Sequence, residues 1–371
     1  MAEEQDWSSI QPDIGCAIFN KLPEIVDRIW FGAVCKNWYY IAKDYNPLAS
    51  RSRLTLPMLL VPVNECETQR KLYGVSSGKF YSNIRLSDIP NERCCGSSHG
   101  WLAFVEEDLS VTLVSPFKFK GIHIRLPVMD TCGAEPNAKT VSKLIVSPDS
   151  TPDNYTVVAI YDGMLYLAFI RSGDKDWTYI EKYLRKRVIF ADIVFHKGLI
   201  YATDRRFMVV SVDINSHPPR VRILKREEPF NLYEKWCTTY IIKSTSGDLY
   251  AIRRRAEYDF ITVVFKIMKL EFHQESGELI RYNEVNTLDG DAFFIGESDS
   301  ISVKASDYEG CKPNSIYFID DYWIADGRGS NDEVEDSGIY NVEEKSIVRH
   351  YVRDPNHRFR PPSIWVQPLF C

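Results

Sequence analysis

Tyr155-Thr-Val-Val-Ala-Ile-Tyr161, then Asp162-Gly163, then Met164-Leu-Tyr-Leu-Ala-Phe-Ile170 is the stretch whose reading decides the fold. Both arms are built from β-branched and aromatic residues, which suit a pleated, half-buried surface. The Asp-Gly pair between them supplies the positive φ angles that a type I′ turn demands, so the spacing predicts a tight β-hairpin. The same punctuation recurs along the chain. Lys197-Gly198 parts Ile193–Phe195 from Leu199–Ala202, Ser246-Gly247-Asp248 parts Tyr240–Lys243 from Leu249–Ile252, and Ser276-Gly277 follows the long run Ile261–Phe272. Upstream, Trp101–Val105 and Val111–Val114 pair through the acidic turn Glu106-Glu107-Asp108. Phe207–Val212, Val221–Leu224, Ser315–Ile319, Gly338–Val342 and Ile347–Tyr351 read as further strands. Leu54–Val63 is apolar but holds Pro57 and Pro62, and proline places it at a sheet edge or in an irregular strand.

Some twenty short strands over about 310 residues are too many for one sandwich, whereas a ring of four-stranded sheets takes them up and leaves only short edges. At roughly forty to fifty residues per blade, that length predicts a β-propeller of about six or seven blades. No WD or kelch repeat is present, and two stacked β domains are the alternative architecture. The simplest ring closure pairs a strand at the start of the domain with one near its end, such as Ile364–Val366.

Ahead of the β region, Trp7 to Ala42 reads as helix. Pro12 and Pro23 each suit the first turn of a helix and each is followed by an acid, Asp13 or Glu24. Ile14, Ile18 and Leu22 recur on the first helix, Val26, Ile29, Trp30 and Ala33 on the second, and a third runs from Val34 to about Asp44 with Trp38 and Ile41 on one side. Gly32 marks the expected break between the second and third. Three helices in about forty residues cannot bury so much apolar surface among themselves. Either they cap the following domain or another protein covers them.

Two resemblances bear on this choice. Ile10, Asp13, Ile14, Ile18, Leu22 with Pro23, and the ending Val34-Cys35-Lys36-Asn37-Trp38 resemble an F-box, although the family's opening Leu-Pro is Ile10-Gln11 here and the proline is displaced to Pro12. The phrases Ser98-His99-Gly100-Trp101-Leu102, Ser115-Pro116-Phe117 with Ile124-Arg125-Leu126-Pro127, Asp192 through Gly198, Asn314-Ser315-Ile316-Tyr317-Phe318 and Ile364-Trp365-Val366 with Pro368 resemble plant F-box proteins that carry a KIB-type C-terminal β domain. Together they imply an α+β chain of several domains: an F-box at 1–45, a link at 46–52 and a propeller-like recognition domain at 53–371. They imply docking to a Skp-type adaptor, and through it a cullin, by Ile10, Pro12, Ile14, Ile18, Leu22, Pro23, Ile25, Val34, Cys35 and Trp38. Some of these must hold the helices together, Cys35 and Trp38 first.

Composition sets the remaining bounds. Apolar residues are 44% and charged residues 26%, as in an ordinary globular chain. A net charge of −6 argues against a broad nucleic-acid or membrane-surface footprint. The basic runs Arg185-Lys186-Arg187 and Arg253-Arg254-Arg255 flank strand-like segments and read as exposed strand ends. No early apolar segment has the length of a signal peptide core or membrane span, and nine cysteines without framework spacing fit a reducing compartment, so a cytoplasmic or nuclear protein is expected. Cys94-Cys95 with Cys132 and His99 nearby lacks the paired knuckles of a structural zinc site.

Catalytic patterns are equally sparse. His99 and His196 each precede a turn glycine and read as turn residues rather than bases, and no Gly-x-Ser-x-Gly elbow, phosphate loop or zinc-protease motif is present. Asp320-Asp321 and the acidic run Asn331–Asp336 read as solvated loop. The expectation is therefore a binding protein rather than an enzyme, with no cofactor, and the resemblance implies a non-catalytic receptor subunit of a ubiquitin ligase with an unidentified protein target. A scaffold that binds the adaptor without productive ubiquitin transfer is the second reading, and a propeller hydrolase or lectin the third.

Overall fold

A computed structural model describes residues 6–22, 25–44, 56–63, 69–75, 77–81, 93–106, 108–115, 122–130, 141–161, 166–184, 188–224, 237–257, 261–273, 276–308, 310–319, 336–349 and 363–367. Three helices come first: α1 Pro12–Lys21, α2 Ile25–Val34 and α3 Lys36–Asp44. Pro12 opens α1 where its missing N–H costs nothing, and Asp13 sits in the first turn, beside the exposed amide donors. Gly32 does not end the second helix as expected. It lies buried inside α2, and the break falls at Cys35. Packing against α3 overrides the weak helix propensity of glycine, since a Cβ at Gly32 would touch the Ala42 side chain at 3.6 Å. Gly15 allows a closer approach still, because a Cβ there would stand 2.6 Å from the tip of Ile41 on α3.

The remaining described residues form six sheets arranged as a propeller. Blade 1 holds β1 Met58–Val63, β2 Gln69–Gly74 and β3 Lys79–Tyr81. Blade 2 holds β4 Arg93–Ser98, β5 Trp101–Val105, β6 Val111–Ser115 and β7 Ile122–Leu126. Blade 3 holds β8 Val141–Val146, β9 Thr156–Tyr161, β10 Tyr166–Arg171 and β11 Thr178–Tyr179. Blade 4 holds β12 Phe190–His196, β13 Leu199–Asp204, β14 Val209–Asp213 and β15 Arg220–Ile223. Blade 5 holds β16 Cys237–Lys243, β17 Leu249–Ala256, β18 Thr262–Phe272 and β19 Leu279–Glu284. Blade 6 has five strands, β20 Asp291–Ile295, β21 Ile301–Lys304, β22 Ser315–Phe318, β23 Gly338–Asn341 and β24 Ser346–Val348, with β20 parallel to β22. β25, Ile364–Val366, returns to blade 1 and pairs antiparallel with β1, Leu59 opposite Trp365, which closes the ring.

The hairpin that opens the sequence analysis pairs from Tyr161–Tyr166 to Thr156–Arg171; its Asp162-Gly163 turn lies outside the described residues. Two equivalent turns are described. His99-Gly100 has φ of 48° and 81°, and Lys197-Gly198 has φ of 48° and 76°, so each two-residue link turns with both φ values positive.

Because every sheet lies between two others, the core is divided into six apolar clusters, one at each blade interface. β9 shows how one strand feeds two of them: Val157 and Ala159 pack toward blade 2, Val158 and Ile160 toward blade 4. The last interface is held by Trp365, fully buried, whose Nε1 donates to the Ile295 carbonyl at 3.0 Å and whose ring meets Phe294 edge-on at 5.0 Å. β1 is consequently an interior strand, not the edge that its prolines suggested. Pro57 precedes it, and Pro62 lies past the Met58–Leu60 stretch that β25 covers.

The Arg253–Arg255 run also departs from expectation. Even-numbered residues of β17 face blade 6, and Arg254 follows Tyr250 and Ile252 into that interface, where it is 1% exposed. Its guanidinium donates to the Ile319 carbonyl at 2.8 Å and to the Asp336 carboxylate at 2.6 Å, and Arg349 donates to the other oxygen of Asp336 at 2.6 Å. Asp336, expected in a solvated acidic loop, is thus buried. Burial pushes its carboxyl up, but Arg254, Thr262 and Arg349 outweigh that and hold it below the usual carboxylate value. The Arg185–Arg187 run, Asp320-Asp321 and residues 331–335 lie outside the described residues.

Two outcomes follow. Gly96 on β4 leaves no room for a side chain, since a Cβ would stand 2.2 Å from the Leu144 carbonyl oxygen on β8. Gly96→Ala should cost about 1–3 kcal/mol in chemical denaturation, whereas Gly198→Asn, with open space around it, should cost less. Asp336→Ala strands the buried Arg254 and should cost about 3–5 kcal/mol at neutral pH. The Asp336 contribution is complete above the unfolded carboxylate value and is lost as pH falls through the lower folded one, so the variant should show a flatter acid limb.

Candidate functional site

Two regions stand out, the helical lead segment and the polar axis of the ring. The helices bury Phe19, Phe31 and Ile41 against one another, with Ile10, Ile18, Leu22 and Trp38 packed around them. Phe31 meets Phe19 edge-on at 5.2 Å and the Trp38 ring at 4.4 Å. The Trp38 indole N–H donates to the Trp7 carbonyl at 2.7 Å, and the Asn37 amide donates to the Ile10 carbonyl at 2.9 Å, which straps the chain before α1 onto α3.

The ten sequence candidates therefore separate. Ile10, Ile18, Leu22, Cys35 and Trp38 are half-buried, and Pro12, Ile14 and Val34 are exposed. Pro23 and the Ile25 side chain lie outside the described residues. Phe19 and Phe31, the two rings at the middle of the bundle, were not among the candidates, although Gly15, Phe19 and Leu22 recur at helical spacing and mark the buried side of α1. Trp7, Ile14, Trp30, Val34 and Tyr40 remain outward, Ile14 at 51% and Val34 at 58% exposure.

In the β region, β25, β4, β8, β12, β16 and β21 contact one another in succession. Among them lies a cluster of charged and hydroxyl groups that no motif announced. The Asp192 carboxylate, fully buried on blade 4, receives Lys143 Nζ of blade 3 at 2.5 Å, its neighbour Ile193 N–H at 2.7 Å, Ile241 N–H of blade 5 at 3.0 Å and Ser300 Oγ of blade 6 at 3.2 Å. The link between β20 and β21 reaches farther, with Glu297 paired to Arg93 at 3.2 Å and Asp299 2.8 Å from the Ser98 hydroxyl, both on blade 2. Burial pushes the Asp192 carboxyl up, and Lys143 and two backbone N–H groups pull it back. Asp299 is likewise raised by burial, against His99 and Lys143. Ser98 Oγ also lies 3.1 Å from the Val146 carbonyl, and one hydroxyl proton cannot serve both acceptors. A proton on Asp299 satisfies all three oxygens.

These contacts tie blades 2 to 6 to one another near the axis. His196 ends β12, is 6% exposed and lies edge-on to Tyr201 at 5.8 Å. Burial, then Lys197 and Lys243, push its imidazole down to about 4, so it is uncharged at neutral pH. Cys94 and Cys95, adjacent on β4, point to opposite interfaces, the first toward blade 1 and the second toward blade 3. Burial pushes the Cys95 thiol up to about 12, far from a reactive thiolate. Cys132 lies outside the described residues, and among those described no group of three or more His, Cys, Asp or Glu could hold a metal ion. No described helix is long and apolar enough to cross a membrane.

Residues 72–341 match the family model described as KIB1-4 beta-propeller. Relatives from Arabidopsis thaliana align over nearly the whole chain. Probable F-box protein At1g65740 is 30% identical over 367 residues, covering 88% of this chain and 94% of the relative. F-box protein SKIP23 is 24% identical over 410 residues, covering 97% and 95%, and F-box protein At4g35733 is 24% identical over 343 residues, covering 86% and 90%.

The axis carries its own test. A carboxyl whose folded value is raised contributes stability that is present in acid and lost as pH rises through that value. Asp299→Asn keeps a donor toward Ser98 Oγ at every pH. Its melting temperature should match the parent near pH 4 and exceed it near pH 8.

Proposed function

We propose, from the premise that this chain is a plant F-box protein belonging to the KIB1-4 beta-propeller family, that it is the substrate-recognition subunit of a Skp–cullin–F-box ubiquitin ligase. The observation that carries the reading is the state of the three helices. They close a small core on Phe19, Phe31 and Ile41 and still leave Ile14, Trp30 and Val34 in solvent, an outlay of apolar surface that a partner's helices would bury. Burying each such side chain contributes about 1.5–3 kcal/mol.

In this reading, residues 1–45 form the docking unit, 46–52 the link and 53–371 the recognition domain. Pro12, Ile14 and Val34 touch the adaptor directly; Ile10, Ile18, Leu22, Cys35 and Trp38 hold the helices in the shape that presents them. The chain performs no chemistry of its own. It holds a protein target beside the ubiquitin-charged enzyme and converts a bimolecular transfer into an effectively intramolecular one. The work is done in the cytoplasm or nucleus.

Ile14→Asp combined with Val34→Asp should weaken capture of a purified Skp adaptor about a hundredfold or more, with unchanged cooperative melting of the β domain. The target's ubiquitination should fall in parallel. Undiminished capture by the double variant overturns the docking surface, and undiminished ubiquitination with capture lost overturns the ligase role.

A further inference from the structure

Between β8 and β9 of blade 3 the chain reads Ser147-Pro148-Asp149-Ser150-Thr151-Pro152-Asp153-Asn154. A hydroxyl residue followed by proline and aspartate thus occurs twice in one short link. Along the sequence the two copies are equivalent; the structure separates them.

Ser147 is built into the foot of the hairpin. Its N–H donates to the Thr156 carbonyl at 2.9 Å and its Oγ accepts from the Thr156 N–H at 3.0 Å, so this hydroxyl is engaged in holding β9 beside β8. The Ser150 Oγ is buried. Thr151 is exposed, and so are Asp153 and Asn154 beyond it. Thr151 and Asn154 form an isolated antiparallel bridge outside the six sheets. The Thr151 N–H donates to the Asn154 carbonyl at 2.8 Å, and the Asn154 N–H donates to the Thr151 carbonyl at 3.2 Å and to Thr151 Oγ1 at 3.1 Å. The last bond uses one lone pair of the hydroxyl and leaves its proton and its second lone pair.

Pro152 adds two properties. It restricts the residue before it to extended backbone, the form in which a kinase cleft takes its acceptor. It also presents no N–H after the acceptor, so an apolar pocket can cover that position without burying an unpaired donor. Opening the tip into such a cleft breaks the backbone hydrogen bonds of one isolated bridge and no part of a sheet ladder.

We propose that Thr151 is the acceptor of a proline-directed protein kinase. The γ-phosphoryl group of a nucleoside triphosphate moves to Thr151 Oγ1: the bond from the γ-phosphorus to the β–γ bridging oxygen breaks, the Oγ1–phosphorus bond forms, the hydroxyl proton passes to the base of the kinase, and the nucleoside diphosphate leaves. The product carries a charge of about −1.5 to −2 at neutral pH, in a link that already holds the exposed Asp149 and Asp153. A phosphate oxygen replaces the hydroxyl as acceptor for the Asn154 N–H. The modification therefore changes the charge of this link and not the fold of the blade, and it stands independently of adaptor docking.

The test is incubation of the folded full chain with a purified proline-directed kinase and magnesium ATP, followed by mass spectrometry. Phosphate should appear on Thr151 and not on Ser147. Thr151→Val should take up none in this link, and Pro152→Ala should be labelled about tenfold more slowly. The labelled chain should melt as the unlabelled chain does. Absence of phosphate from Thr151, labelling of Ser147 at the same rate, or Pro152→Ala labelled as fast as the parent each overturns the proposal, and a lowered melting temperature after labelling overturns the statement that only charge changes. The parent alone locates the phosphate, so the outcome does not depend on the variants folding.

Discussion

A sheet buried on both faces has no stable existence by itself, and this constraint governs the whole β region. Each of the six sheets exposes an apolar surface on either side, and only a neighbour on each side removes it from water. The last sheet must therefore be joined to the first. β25 does this by pairing with β1, and Trp365 joins the last blade to the first through the Phe294 ring and the Ile295 carbonyl. Three residues, Ile364–Val366, complete that sheet as its fourth strand.

Charge buried within the ring has a different role from apolar contact. Removing Lys143, Asp192, Arg254 and Asp336 from water is expensive, and the Coulomb attraction that results offsets the cost without a large surplus. What such groups add is direction. A carboxylate such as Asp192, accepting from blades 3, 5 and 6 as well as its own, is satisfied in one arrangement of those blades and in few others. Apolar interfaces can slide against one another by a fraction of a residue; an ionic hub on the axis and the Arg254–Asp336 tie between blades 5 and 6 cannot.

The lead helices obey the same accounting on a smaller scale. Ten-residue helices have too little surface to enclose a full core, so the bundle settles on three large side chains and two close glycine contacts, at Gly15 and Gly32. Among the described side chains, Trp7, Ile14, Trp30, Val34 and Tyr40 are left facing outward.

Local pattern was enough to indicate most of the described strands, the Lys197-Gly198 turn and the start of α1. Lys197-Gly198 had to turn tightly because its neighbours are extended and its φ angles are positive, and Pro12 had to begin a helix; these are contests among a few adjacent atoms, decided within a short window of chain. The ring was legible in the number of short strands and the length they span, and its closure in a strand-like segment near the end of the β region, Ile364–Val366. What no window contained was the partner of each side chain. Arg254 looks like any basic strand end until Asp336 arrives from another blade, β1 looks like an edge until β25 covers it, and Gly32 looks like a helix stop until α3 packs on it. Asp192, Ser98 and Asp299 are unremarkable along the chain because their neighbours lie up to two hundred residues away. Burial and charge pairing depend on distance in space, and only the closed ring sets those distances.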